Sequence, residues 1–290
     1  MFAGSSVAIV TPFKNGRVDE RALGDLIEFQ IANGTDGIVP CGTSGESATL
    51  TYEEHDRVIA FTVEATKRRV PVIAGTGSNS TDEAITLTKH AKKVGADGAL
   101  LICPYYNKPT QEGLYRHFKA VAEAVDLPIV LYNIPGRTSV NMLPATVARL
   151  SSVRNVVAIK EGAGSLQQVS EIIQACGDRM TVLSGDDPLT LPMMAVGAKG
   201  VITVTANVAP ADMAALVDAF AAGRLDQAKA LHYKLYPLFN ALFYETNPIP
   251  VKEALGMMGK IQPDLRLPLC SMSTENRDKL ATVLKDYGLM

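Results

Sequence analysis

Lys160 ends an apolar run, Val156-Val157-Ala158-Ile159, and Gly162 and Gly164 follow it closely. An apolar run bounded by glycines reads as a buried strand. A lysine at the mouth of such a strand is poorly hydrated, and desolvation favours its neutral amine. A neutral amine can attack a carbonyl carbon and form a Schiff base. An ordinary lysine closing a strand has the same local pattern, and ordinary ones far outnumber reactive ones. Position alone leaves both readings open.

Other residues with usable chemistry are scattered along the chain. The turn Gly42-Thr43-Ser44-Gly45-Glu46 could present backbone N–H groups to an anion, although ordinary turn chemistry also explains it. Tyr106 and Tyr132 offer phenols that either pack or carry protons. Arg137, beside Gly136, suits a carboxylate held bidentately or a solvated loop. Asp186-Asp187 follow Gly185, but nothing nearby completes a metal-ligand set, so no metal is expected.

Short apolar runs alternate with segments of helical period. The runs are Ser6 to Val10, Gly37 to Val39, Val70 to Ala74, Ala99 to Ile102, Pro128 to Tyr132, Val156 to Lys160, Thr181 to Ser184 and Gly200 to Thr203. Helices are expected between them. One starts behind Thr51, which with Glu54 three residues on makes a capping box. Repeated strand–helix units predict a (β/α)8 TIM barrel, an α/β fold. Fully apolar strands fit a parallel sheet buried on both faces. An open doubly wound sheet would want a Gly-rich phosphate loop after its first strand, and Thr11-Pro12-Phe13-Lys14 is not one. Residues 1–224 make the barrel. Residues 225–290 read as a C-terminal helical extension packed on it, since no Gly- or Ser-rich linker separates the two.

In a barrel of this kind the chemistry sits at the C-terminal ends of the strands. Thr43, Ser44, Tyr106, Tyr132, Arg137, Lys160, Gly185, Asp186, Thr203 and Thr205 all fall there. Lys199 precedes the last strand and so belongs to the opposite face. Net charge is -2, from 28 Lys+Arg and 30 Asp+Glu, which gives no basic excess for nucleic acid. The start has no basic n-region, and no stretch has membrane-spanning length. The four cysteines lack metal or disulfide spacing. A cytoplasmic, reduced, metal-free protein is the expectation.

Taken in order, five motifs are more specific: Gly42-Thr43-Ser44-Gly45-Glu46-Ser47, Pro104-Tyr105-Tyr106, Tyr132-Asn133-Ile134-Pro135-Gly136-Arg137-Thr138, Ile159-Lys160-Glu161 and Ser184-Gly185-Asp186-Asp187. They resemble the dihydrodipicolinate synthase family, among the pyruvate-dependent class I aldolases that also include N-acetylneuraminate lyase. The resemblance covers nearly the whole chain. It implies condensation of pyruvate with L-aspartate-4-semialdehyde in lysine biosynthesis, without a cofactor, by a homotetramer of two tight dimers.

By the same resemblance, Lys160 forms the Schiff base. Tyr132, Thr43 and Tyr106 form a proton relay, with Tyr106 supplied by the neighbouring subunit. Thr43 and Ser44 hold the pyruvate carboxylate through their backbone, and Gly185 and the Ile202 backbone line the pocket. Arg137 holds the semialdehyde carboxylate, which sets this chain apart from N-acetylneuraminate lyase. The resemblance further implies feedback inhibition by L-lysine at the tight-dimer interface. The matching positions are Ser47, Ala48, His55, Asn79, Glu83 and Tyr105. Two positions depart from the family pattern: Ser44 stands where a second threonine is usual, and Tyr52 where some lysine-sensitive members carry histidine. A binding protein on a barrel scaffold remains the reading from another class, because fold alone does not establish turnover.

Overall fold

Eight apolar segments of the chain lie side by side as parallel strands in the computed structural model, which describes residues 2–290. They are β1 (Gly4–Ala8), β2 (Gly37–Val39), β3 (Ile73–Gly75), β4 (Gly98–Ile102), β5 (Ile129–Asn133), β6 (Val156–Glu161), β7 (Thr181–Ser184) and β8 (Gly200–Thr203). Ladders join β3 to β8 in sequence order, β8 to β1, and β1 to β2. A bridge between Ile38 and Val72 closes the ring. There Ile38 N–H donates to the Pro71 carbonyl and Gly75 N–H to the Pro40 carbonyl, each at 2.9 Å. The result is the expected (β/α)8 barrel.

Each strand points one set of side chains inward. Ala8, Val39, Ile73, Leu100, Val130, Tyr132, Ala158, Leu183 and Ile202 form the barrel interior. The outward set packs beneath eight helices: α1 (Glu20–Ala32), α2 (Tyr52–Thr66), α3 (Thr81–Val94), α4 (Gln111–Ala124), α5 (Pro144–Leu150), α6 (Leu166–Cys176), α7 (Thr190–Ala195) and α8 (Pro210–Ala221). The capping box at α2 forms as expected: Thr51 accepts from Glu54 N–H while the Glu54 carboxylate accepts from Thr51 N–H.

Three further helices follow, α9 (Leu225–Ala241), α10 (Ile249–Met257) and α11 (Thr274–Tyr287). Leu235, Leu238, Phe239, Val251, Leu255, Leu280 and Leu284 share one buried cluster with Val7, Ile9, Leu216 and Val217 of the barrel.

Local details differ from the pattern read in the sequence; β1, for one, spans Gly4–Ala8 rather than Ser6 to Val10. β3 begins at Ile73 rather than Val70, because Pro71 has no N–H to give a ladder. A short antiparallel hairpin, Phe13–Lys14 with Arg17–Val18, follows β1. Its Asn15-Gly16 turn takes positive φ at both residues, 53° and 77°, the geometry that this dipeptide favours in two-residue hairpins.

Candidate active site

β5 and β6 pair in register so that Tyr132 lies opposite Lys160. Lys160 Nζ sits 4.3 Å from the centre of the Tyr132 ring. Lys160 is 5% exposed and Tyr132 7%. An ammonium over an aromatic face is attracted by the ring quadrupole, but burial acts against the charge. Desolvation lowers the Lys160 pKa to about 8; the Asp187 carboxylate pulls it up and the Arg137 guanidinium pushes it down. Burial also pushes the Tyr132 phenol up to about 12, against the opposing pull of Arg137. Tyr132 therefore keeps its proton near neutral pH and can donate it, while part of the Lys160 population is free amine.

Gly185 follows β7 and passes directly over the lysine stem. A Cβ added there would lie 3.0 Å from Lys160 Cγ and 3.2 Å from the Glu161 backbone. Asp187, two residues on, is buried. Its Oδ2 accepts from Thr205 Oγ1 at 2.6 Å, Thr205 N–H at 2.7 Å, Thr203 Oγ1 at 2.9 Å and Val204 N–H at 3.1 Å. The carboxylate thus fixes the end of β8, next to Ile202, and places a negative charge in the field of Lys160. The sequence places Asp186-Asp187 at this strand end and in a family motif but gives Asp187 no role; the signal for one is a carboxylate two residues after Gly185.

The turn after β2 is closed by Gly45 N–H donating to the Gly42 carbonyl and Glu46 N–H to the Thr43 carbonyl, each at 3.1 Å. The N–H groups of Thr43 and Ser44 have no partner among the described residues. That leaves two adjacent donors for an anion. Gly75 fixes where this turn sits, since a Cβ on it would fall 2.2 Å from the Cys41 carbonyl oxygen.

Arg137 lies on a single helical turn, Pro135–Thr138, and is exposed. It donates to the Asn247 carbonyl at 3.1 Å, and Asn247 Nδ2 donates to Ser44 Oγ at 3.1 Å. Asn247, from the segment between α9 and α10, therefore ties the arginine to the anion turn. No motif pointed to it, because its place depends on the whole tail folding back.

One cavity of about 880 Å3 runs across this end of the barrel. Thr43, Tyr132, Arg137 and Asn247 line it, and so do Ser47, Ala48, His55, Glu83 and Tyr105. Lys160, Ser44, Gly185, Ile202 and Asn79 are not among its lining residues, and Asn79 donates to the Tyr105 carbonyl at 3.2 Å. Glu83 accepts from the hydroxyls of Tyr52 and Ser78, and these bonds lower its pKa. His55 Nε2 lies 3.0 Å from the Gly75 carbonyl, while its buried Nδ1 has no partner among the described residues. Tyr106 is not brought to the cavity: it is 90% exposed, at a left-handed φ of 70°. Among the described residues no hydrogen bond joins Tyr132 to Thr43. Among the described residues no three His, Cys, Asp or Glu side chains come together as a metal site, and no helix is long and apolar enough to cross a membrane.

Comparison with known proteins extends the site to a family. The model of the dihydrodipicolinate synthetase family matches residues 1–287. The chain is 65% identical over 290 residues, the whole of both proteins, to a 4-hydroxy-tetrahydrodipicolinate synthase of Geotalea uraniireducens. The dihydrodipicolinate synthase of Aquifex aeolicus superposes with a TM-score of 0.98 at 56% identity, over 99% of each chain. The chloride-inhibited synthase of Acinetobacter baumannii, solved with pyruvate, gives 0.98 at 49% identity over 100% of both chains. The synthase of Cyanidioschyzon merolae, solved with lysine bound, gives 0.97 at 40% identity over 100% of this chain and 99% of that one. Identity of this order along the full length, on one shared backbone, means that the chain belongs to the dihydrodipicolinate synthetase family and is one of its enzymes.

Proposed function

We propose that this enzyme condenses pyruvate with L-aspartate-4-semialdehyde to give 4-hydroxy-tetrahydrodipicolinate, in the diaminopimelate route to lysine, in the cytoplasm. The observation that carries this is Lys160, buried at a strand end with its amine against the Tyr132 ring and its pKa lowered to about 8. The family membership and the pyruvate complex of the Acinetobacter relative support the choice of first substrate.

The chemistry follows from the groups in place. The Lys160 amine adds to the keto carbon of pyruvate, water leaves, and an iminium forms. Its positive charge makes the methyl carbon acidic, and loss of a proton gives an enamine. The enamine carbon attacks the aldehyde of the semialdehyde, whose amino group then displaces Lys160 as the ring closes. Tyr132 donates and accepts the protons of these steps. The free N–H groups of Thr43 and Ser44 hold the pyruvate carboxylate, and Arg137 holds that of the semialdehyde. Gly185 and the Ile202 backbone keep the pocket around Lys160 narrow. Thr43 and a neighbouring subunit's Tyr106 complete the proton path in a homotetramer of tight dimers. The exposure of Tyr106 supports that role, since its ring is unoccupied within its own chain.

L-lysine is the proposed feedback inhibitor, bound among Ser47, Ala48, His55, Asn79, Glu83 and Tyr105. The lysine complex of the Cyanidioschyzon relative and the cavity beside Glu83 support it. Glu83 suits an ammonium group, Asn79 and Tyr105 a carboxylate, and His55 the side-chain end.

Pyruvate with borohydride tests the central claim. The expected result is a reduced adduct on Lys160, absent from Lys160→Ala; an adduct that persists in Lys160→Ala rejects the assignment. For the inhibitor, activity unchanged at millimolar L-lysine with no heat of binding rejects the site.

A further inference from the structure

Glu46 ends the anion turn with its own backbone and reaches away from it with its side chain. Glu46 Oε1 accepts from Lys252 Nζ at 2.6 Å, and both side chains are fully buried. Lys252, on α10, also donates to the Thr11 carbonyl at 3.0 Å and lies 4.1 Å from the centre of the Phe13 ring. Glu46 Oε2 accepts the backbone N–H of Arg266 at 3.1 Å. The Arg266 guanidinium then pairs with Glu54 through two bonds of 2.6 Å and donates to the Thr49 carbonyl at 2.9 Å. Groups from the C-terminal region thus hold the turn from behind, at both of the Glu46 oxygens.

Stability alone is a poor reason for such a pair. Desolvating two charges costs about as much as their attraction returns, and well-packed apolar residues often do as well. What the pair supplies is geometry. Glu46 has a left-handed φ of 51°, and Cys41 at the other end of the turn one of 55°. Such angles are unfavourable for residues other than glycine and persist where surrounding contacts impose them. With Glu46 so fixed, its N–H reaches the Thr43 carbonyl, and the adjacent Thr43 and Ser44 N–H groups are left without a partner among the described residues.

We propose that Lys252 is a positioning residue for pyruvate: through Glu46 it holds the Gly42–Ser47 turn in the shape that receives the pyruvate carboxylate. The proposal rests on the reading of that turn given above. It assigns the C-terminal region a part in binding the first substrate.

The test uses Lys252→Met, Glu46→Gln and the double variant, each with thermal melting as a measure of fold. Pyruvate is titrated with borohydride present, and the adduct is followed by intact mass. The half-saturating pyruvate concentration is expected to rise about ten- to a hundredfold in all three, as for a reacting group displaced by roughly an ångström. Condensation of the saturated imine with the semialdehyde in a single turnover is expected to keep its rate. Lys252→Met leaves a buried charge alone and should melt earlier, whereas the double variant removes both charges and should recover stability. Pyruvate saturation that stays weak in the stable double variant supports positioning. Saturation that returns with the melting temperature means a structural pair only and overturns the proposal. No adduct in the unaltered enzyme overturns the Schiff-base reading itself, and the two failures are thereby told apart.

Discussion

A lysine amine is useful as a nucleophile only in the fraction that has lost its proton, and Lys160 owes that fraction to burial. With its pKa lowered to about 8, adduct formation should climb about tenfold per pH unit well below that value and level off above it. Asp187 pulls the other way, since its carboxylate favours the ammonium. Asp187→Asn keeps an oxygen for Thr203 and Thr205 but removes the charge. The rise of adduct formation should therefore move to lower pH, and a stopped-flow or quench series with pyruvate and borohydride measures it. An unmoved profile would mean that the carboxylate serves the β8 end alone. Tyr132 holds its proton up to about 12, so it begins the reaction as an acid. Tyr132→Phe keeps the ring over Lys160 and removes the proton. A fall in kcat of about 10²–10⁴ is expected, with adduct still detectable at long times; a fall below about tenfold would assign the proton to another group.

At the scale of elements, every group in the proposed mechanism lies at a strand end or in the turn after it, and packing of neighbouring turns sets their spacing. Gly185 is the sharpest instance. Gly185→Ala would put a methyl group 3.0 Å from Lys160 Cγ, so the stem or the turn must yield. We expect adduct formation to slow by about 10²-fold with little change in melting temperature, as read by the same trapping assay beside a thermal scan. Much of this was legible in the sequence. The apolar run before Lys160, the turn at Thr43 and the Gly185 motif each recur at the same end of a barrel whose alternation is plain in the chain. Pro71 shortened a strand in a way its missing N–H explains, and Asn15-Gly16 announced a hairpin that went unread. Asn247 and Lys252 were illegible for a different reason. They reach Ser44 and Glu46 across more than two hundred residues of chain, and no local period or motif encodes a contact of that length.

At the scale of the molecule, one piece of the proposed machinery points to a second subunit. Tyr106 is 90% exposed and meets Thr43 and Tyr132 only if a second subunit brings it. Activity per subunit should therefore fall on dilution at the concentration where sedimentation shows dimers separating. A monomer with full activity at that concentration would remove Tyr106 from the relay. Tyr106→Phe should lower kcat while leaving assembly intact, which separates the phenol from the contact. The long reach of Glu46 to Lys252 has a consequence for the order in which the enzyme comes into being. The turn at Thr43 is translated early, and its counter-ion arrives 206 residues later. A nascent chain can lay down most of its strands while Glu46 still lacks its partner. Until α10 has left the ribosome and docked, the chain carries Lys160 while the turn proposed to seat pyruvate still lacks the counter-ion of Glu46.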